Sequence, residues 1–236
     1  MSAQYENFHA SAPMRALFTR ELCALAPILA GTFGNFGLLL SAYADARNDL
    51  PAHKIGAITN LCSICDAGLR GDVRCVDTQL PFSSDSFNVV IAQHAFEHNA
   101  VLDQSVVELA RVLAPEGLAL VFGFNPLGTW RPWLELRRRR EGVCLSLRSA
   151  HAWRQLLLRE QVDTLQVSFP GVWLPRGASM NLERDQAPGV GARFGSSWLL
   201  LARKRRSTLT PLRSRPRNRE LQLRPSLAPG TQRMRT

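Results

Sequence analysis

His94, Glu97 and His98 form the densest group of acid, base and metal-ligand chemistry in the chain. Their HxxEH spacing matches a zinc-protease pattern in which two histidines on one helical face bind the metal and the glutamate acts as base. Here the six residues before Gln93, Phe87 to Ala92 (FNVVIA), are a β-branched apolar run. His94 therefore stands at a strand exit rather than on a helix, and no third ligand is identifiable, which argues against the protease. His94 remains the best candidate for a general base. Cys62 and Cys65 form a single CxxC with no second pair, and five scattered cysteines point to reduced thiols.

The elements that must position these residues can be read between Val76 and Pro126. Phe87 to Ala92 and Leu118 to Phe124 read as strands buried on both faces. Between them Val106, Leu109, Val112 and Leu113 recur at helical spacing, with Asp103 as N-cap and Pro115 to Gly117 as the stop. Strand, helix and strand joined by short turns make a right-handed parallel crossover.

On these residues the chain resembles a known family. LPF (Leu80 to Phe82) before an acidic turn, SFNVV, FEH, ELARVLAPEG and GFNP resemble the class I S-adenosylmethionine-dependent methyltransferases, in particular the type 11 group. Trp130, ARK (Ala202 to Lys204) and TPLR (Thr210 to Arg213) make it similar to a small bacterial subgroup of that group. The resemblance implies an α/β, Rossmann-like fold with a mostly parallel seven-stranded sheet, an antiparallel edge hairpin and helices on both faces. It also implies S-adenosylmethionine as cofactor and methyl transfer to an acceptor that the residues do not identify.

The resemblance also assigns cofactor positions. The turn after the first strand, normally glycine-rich, corresponds to Ser41, Ala42, Tyr43 and Ala44, because the glycines Gly31, Gly34 and Gly37 lie before or at the start of the apolar run Phe36 to Leu40 rather than after it, and read as a helix-ending loop. These four residues are either a partly retained cofactor loop or a decayed one. The ribose acid at the end of the second strand (Ile55 to Leu61) is replaced by Asn60, which can hydrogen-bond a hydroxyl without charge assistance. Asp77, with Thr78 beside it, either accepts from the adenine amine or caps its own turn. For the histidine cluster, one reading has Gln93 and His94 lining the donor-methyl pocket while Glu97 and His98 begin the next helix. The other is similar to the O-methyltransferases of ubiquinone synthesis, with His94, Glu97 and His98 holding a divalent ion.

The remaining sequence fits one domain. A helix is expected over Pro13 to Leu29, another over Ala150 to Glu160 after Ser149, final strands over Asp163 to Phe169 and Ser197 to Ala202, and a long loop over Gly171 to Gly195. Arg137 to Arg140 is either a clamp for an acidic substrate or the wet face of a helix. The chain has 236 residues, 45% of them hydrophobic, enough for one substantial core. With no bilayer-spanning run and no secretory signal, a cytoplasmic protein is expected.

The net charge of +10 resides in the tail: from Arg203 onward there are eleven basic residues and one acid, Glu220, so residues 1–202 are formally neutral. The domain is expected to end near residue 205. Beyond it, residues 206–236 are rich in proline and arginine and read as a disordered tail, either simply solvated or able to contact nucleic acid or an anionic surface. A non-catalytic binding or scaffold protein on the same fold is the competing expectation.

Overall fold

The computed structural model describes residues 7–64, 68–98, 101–142, 145–171, 174–175 and 193–206. These belong to one compact unit that ends at Arg206. The tail from residue 207, Cys65, Cys144 and most of the loop over Gly171 to Gly195 lie outside the described residues.

Eight strands make one sheet: β1 (Phe33–Ser41), β2 (Lys54–Ile64), β3 (Gly68–Gly71), β4 (Arg74–Val76), β5 (Phe87–Gln93), β6 (Leu113–Phe124), β7 (Val162–Ser168) and β8 (Ser197–Lys204). Their spatial order is β4-β3-β2-β1-β5-β6-β8-β7. The central strands β2, β1, β5 and β6 are parallel. At one edge β8 runs antiparallel to both β6 and β7, the expected hairpin.

The strand beyond the expected seven is β3. β2 does not stop near Asn60 but runs on to Ile64, and the chain then folds back to pair Ile64 with Gly68 and Leu61 with Gly71. Too few residues separate Ile64 from Arg74 for a helical crossover, which takes a dozen or more, so an antiparallel ribbon replaces it. Asp72 closes the ribbon: its N–H donates to Asn60 O at 3.0 Å and its carboxylate accepts from Asn60 N–H at 2.9 Å.

The helices are α1 (Ala12–Ala30), α2 (Leu102–Val112), α3 (Arg131–Glu141) and α4 (Ala150–Arg159). Leu25 and Leu29 of α1 cover the sheet face that carries Leu39, Val89, Ile91 and Leu120. Val106 and Leu109 of α2, with Trp153 and Leu157 of α4, cover the opposite face, which carries Leu38, Leu40, Val90 and Ala92. The alternation of Val89 and Ile91 with Val90 and Ala92 explains why this strand reads as continuously apolar. Among the described residues, no helix is long and apolar enough to cross a membrane.

Several local expectations shift. β1 begins at Phe33, so Gly34 and Gly37 lie inside the strand and only Gly31 caps α1. Gly34 is needed for close approach, because a Cβ there would stand 2.6 Å from the Asn88 side chain, whose carbonyl oxygen accepts from Asn35 N–H at 2.9 Å. Asp103 lies in the first turn of α2 with Val101 at the N-cap, whereas Ser149 caps α4 as expected, its hydroxyl accepting from Ala152 N–H at 3.2 Å. The Pro115 to Gly117 stop becomes part of an irregular start of β6, with Glu116 at φ 64°.

The Leu80 to Phe82 corner is held from α2. Arg111 donates to Phe82 O at 2.8 Å and Leu80 O at 3.0 Å, and grips the Glu108 carboxylate at 2.8 Å through two nitrogens. Glu108 in turn accepts from Leu80 N–H at 2.9 Å. Charge-assisted, forked bonds of this kind fix a loop more firmly than neutral ones.

Candidate functional site

In an open parallel sheet, ligands sit beyond the carboxyl ends of the strands. At that end β1 finishes on Ser41, whose fully buried hydroxyl donates to Tyr43 O at 2.6 Å, while Ala42 N–H donates to Gln93 O at 3.0 Å. The turn is thus closed upon itself and laid along the end of β5. Ala44 opens a single 3₁₀ turn, Ala44–Arg47, and this turn stands where a full helix ordinarily links two parallel strands.

The missing helix leaves an open cavity of about 880 Å³, walled by Arg15, Phe18 and Leu22 of α1, Ala42 and Tyr43 of the turn, Asp49, and Cys62 and Ser63 of β2. A volume of that size suits a small-molecule ligand. The Phe18 and Tyr43 rings stack with centroids 4.5 Å apart. Asn60 does not line the cavity. It pairs with Leu39, two positions short of the Ser41–Cys62 level, so the extension of β2 moves the rim from Asn60 to Cys62 and Ser63.

His94 follows β5 at φ 51°, a left-handed conformation that a non-glycine residue seldom adopts. Its ring is fully buried, with Nε2 2.8 Å from Glu21 Oε1 and Nδ1 3.2 Å from Glu97 Oε1. Burial alone would lower its pKa. The Glu21 carboxylate, by charge and hydrogen bond, and then Glu97 outweigh burial and raise it to about 9. A carboxyl group at each ring nitrogen thus favours the doubly protonated ring, a form in which neither nitrogen has a lone pair for the expected general-base role.

The network extends on both sides. Gln93 Nε2 donates to Glu21 Oε2 at 2.9 Å, and Glu97 Oε1 accepts from Phe124 N–H at 2.8 Å. Two buried carboxylates and one imidazolium thus bolt α1, a wall of the cavity, to the ends of β5 and β6. Gln93 and His94 face this bolt rather than the cavity. His98 lies apart from it, its ring edge-on to His9 with centroids 6.1 Å apart. Among the described residues, no group of three His, Cys, Asp or Glu side chains is placed to hold a metal.

Asp77 is only 3% exposed and lies outside the cavity wall. Burial raises its pKa, opposed by hydrogen bonds from the Ser105 hydroxyl and from its own turn at Thr78. Its neighbour Cys75 is raised as well, by burial and then by the Asp77 charge. Asp77 and Thr78 therefore form a corner tied to α2.

Glu21 and Asp49 were not anticipated. Glu21 was legible as the one charge in the buried stripe Met14, Leu17, Phe18, Glu21, Leu25 of α1. Asp49 follows the 3₁₀ turn in a stretch without periodicity, and only the fold brings it to the rim.

Residues 57–121 match the family model described as a methyltransferase domain. No curated protein matches the chain. A chain in the complex between the Haloferax volcanii Trm112 methyltransferase activator and a protein described as a methyltransferase is 16% identical, over 87% of this chain and 97% of that one, with a TM-score of 0.62. A Thermotoga maritima protein described as an S-adenosylmethionine-dependent methyltransferase, possible histamine N-methyltransferase, is 13% identical over 86% and 96%, with a TM-score of 0.57. A Listeria monocytogenes protein described as an S-adenosylmethionine-dependent methyltransferase is 15% identical over 80% and 98%, with a TM-score of 0.53. The chain thus has the Rossmann-like fold of the class I methyltransferases, and its central segment, residues 57–121, resembles the methyltransferase domain of the type 11 group.

Proposed function

We propose that the cavity beside β1 and β2 takes S-adenosylmethionine and that the protein transfers its methyl group to an acceptor not yet identified. The observation that carries this reading is the cavity's place, at the carboxyl ends of the central parallel strands of a methyltransferase fold. The residues around it suit the ligand. Asp49 offers a carboxylate to ribose hydroxyls in place of the missing acid on β2, Arg15 offers a cation to the methionine carboxylate, and Leu22, Ala26 and Ile64 give apolar surface for a base.

When bound, the cofactor supplies a methyl group activated by a sulfonium. The chain's own contribution is orientation, with α1 held in place by the Glu21–His94–Glu97 bolt. Because His94 already carries both protons, the acceptor must present an unprotonated lone pair or lose its proton elsewhere. The reduced thiols of Cys23 and Cys75 fit a reducing, cytoplasmic setting.

A second reading, a binding or scaffold protein on the same fold, is favoured by the self-closed Ser41–Tyr43 turn and the lost helix after β1. Incubating the full chain with methyl-labelled S-adenosylmethionine and fractionated bacterial extract separates the two. Label transferred to one fraction supports the enzyme. Cofactor binding without transfer to any fraction supports the scaffold.

A further inference from the structure

Helix α3 is poorly embedded: Leu134 is its only fully buried residue. It carries five arginines, Arg131 and Arg137 to Arg140, against Glu135 and Glu141. Glu135 pairs with Arg138 and Arg139, and Glu141 with Arg137, which leaves the helix with a net positive charge.

Large apolar side chains are exposed on α3 and on the segments joined to it. Leu127 is 72% exposed, Phe194 49% and Leu136 45%. Leu127 and Phe194 are not on loose ends. Thr129 N–H donates to Phe194 O at 3.0 Å, and the Asn125 side-chain amide donates to Arg193 O at 2.7 Å and Gly195 O at 3.0 Å, so the two loops are stitched together at the end of β6. Arg131 N–H donates to Gly128 O at 3.1 Å and joins this platform to α3.

We infer that this face docks on an anionic lipid bilayer. Apolar residues seat in the headgroup boundary while arginines meet lipid phosphates, and segments joined by hydrogen bonds carry both groups here. Phosphate contacts alone would also suit nucleic acid. Of the three exposed apolar side chains only Phe194 offers a base a stacking face, whereas Leu127 and Leu136 offer none, and this largely aliphatic exposure favours the bilayer. The inference stands apart from methyl transfer.

The test is flotation of the full chain with vesicles of equal parts phosphatidylcholine and phosphatidylglycerol, against vesicles of phosphatidylcholine alone. The protein is expected to float with the mixed vesicles only. Arg139→Gln with Arg140→Gln is expected to weaken that binding about tenfold or more, since each arginine near such a surface matters on that scale. Leu127→Ser with Phe194→Ser is expected to weaken it comparably at unchanged charge, and both variants should keep the parent melting temperature. The arginines beyond residue 206 are present in every protein tested, so binding that survives both pairs of substitutions would assign attachment to the tail and overturn the inference. Loss with the arginine pair alone, or RNA bound with the same arginine dependence while vesicles are ignored, would overturn it as well.

Discussion

Glu21 Oε1 lies 2.8 Å from His94 Nε2 with both side chains fully buried, so the N-terminal helix is joined to the end of a central strand by an ion pair sealed from water. Removing one partner of such a pair leaves an uncompensated buried charge, which commonly costs about 3–5 kcal/mol. Glu21→Ala should therefore lower the melting temperature steeply. A variant as stable as the parent would show that the bolt does not hold α1.

The same pair sets a pH dependence. The His94 pKa is about 9 in the folded chain and near the ordinary 6.5 when unfolded. The stabilisation is complete below about pH 6.5, declines as the unfolded state releases its proton, and is gone once pH passes the folded value. Thermal melts from pH 6 to 10 should show this decline, and His94→Gln should flatten it. An equal slope in the variant would assign the effect to other groups.

Asp77 should act on the fold. With its carboxylate tied to Ser105 and its own turn, Asp77→Ala is expected to cost about 1–3 kcal/mol of stability while leaving S-adenosylmethionine affinity close to the parent's. Weaker binding with an unchanged melting temperature would return Asp77 to the adenine end of the site.

How far the sequence revealed this depended on which force shaped each part. Periodicity governed by burial was legible: α1, α2, β5, β7 and β8 lie close to where apolar spacing put them, and the antiparallel β7–β8 pairing is the one the family resemblance implied. The added strand β3 and its antiparallel pairing with β2 and β4 were not, because backbone pairing across Gly68 and Gly71 leaves no hydrophobic period. The site was harder still. Ser41, Ala42 and Tyr43 do turn at the end of β1, but the hydroxyl that closes the turn, the carboxylates that convert His94 to an imidazolium, and the arrival of Asp49 all depend on contacts remote in sequence.

Asp49 is exposed on the cavity wall, so its loss should spare the fold. Asp49→Ala is expected to weaken S-adenosylmethionine binding by about 1–3 kcal/mol with little change in melting temperature, and Asp49→Asn should recover part of that loss. Unchanged affinity in both variants would place the ribose elsewhere.

The central claim is that the cavity beside β1 and β2 holds the methyl donor, and calorimetric titration of the full chain with S-adenosylmethionine and S-adenosylhomocysteine tests it most directly. Saturable binding of both with one-to-one stoichiometry, weakened by Asp49→Ala, is the predicted result. No heat of binding from either form at millimolar concentration, with the chain folded, would contradict the account.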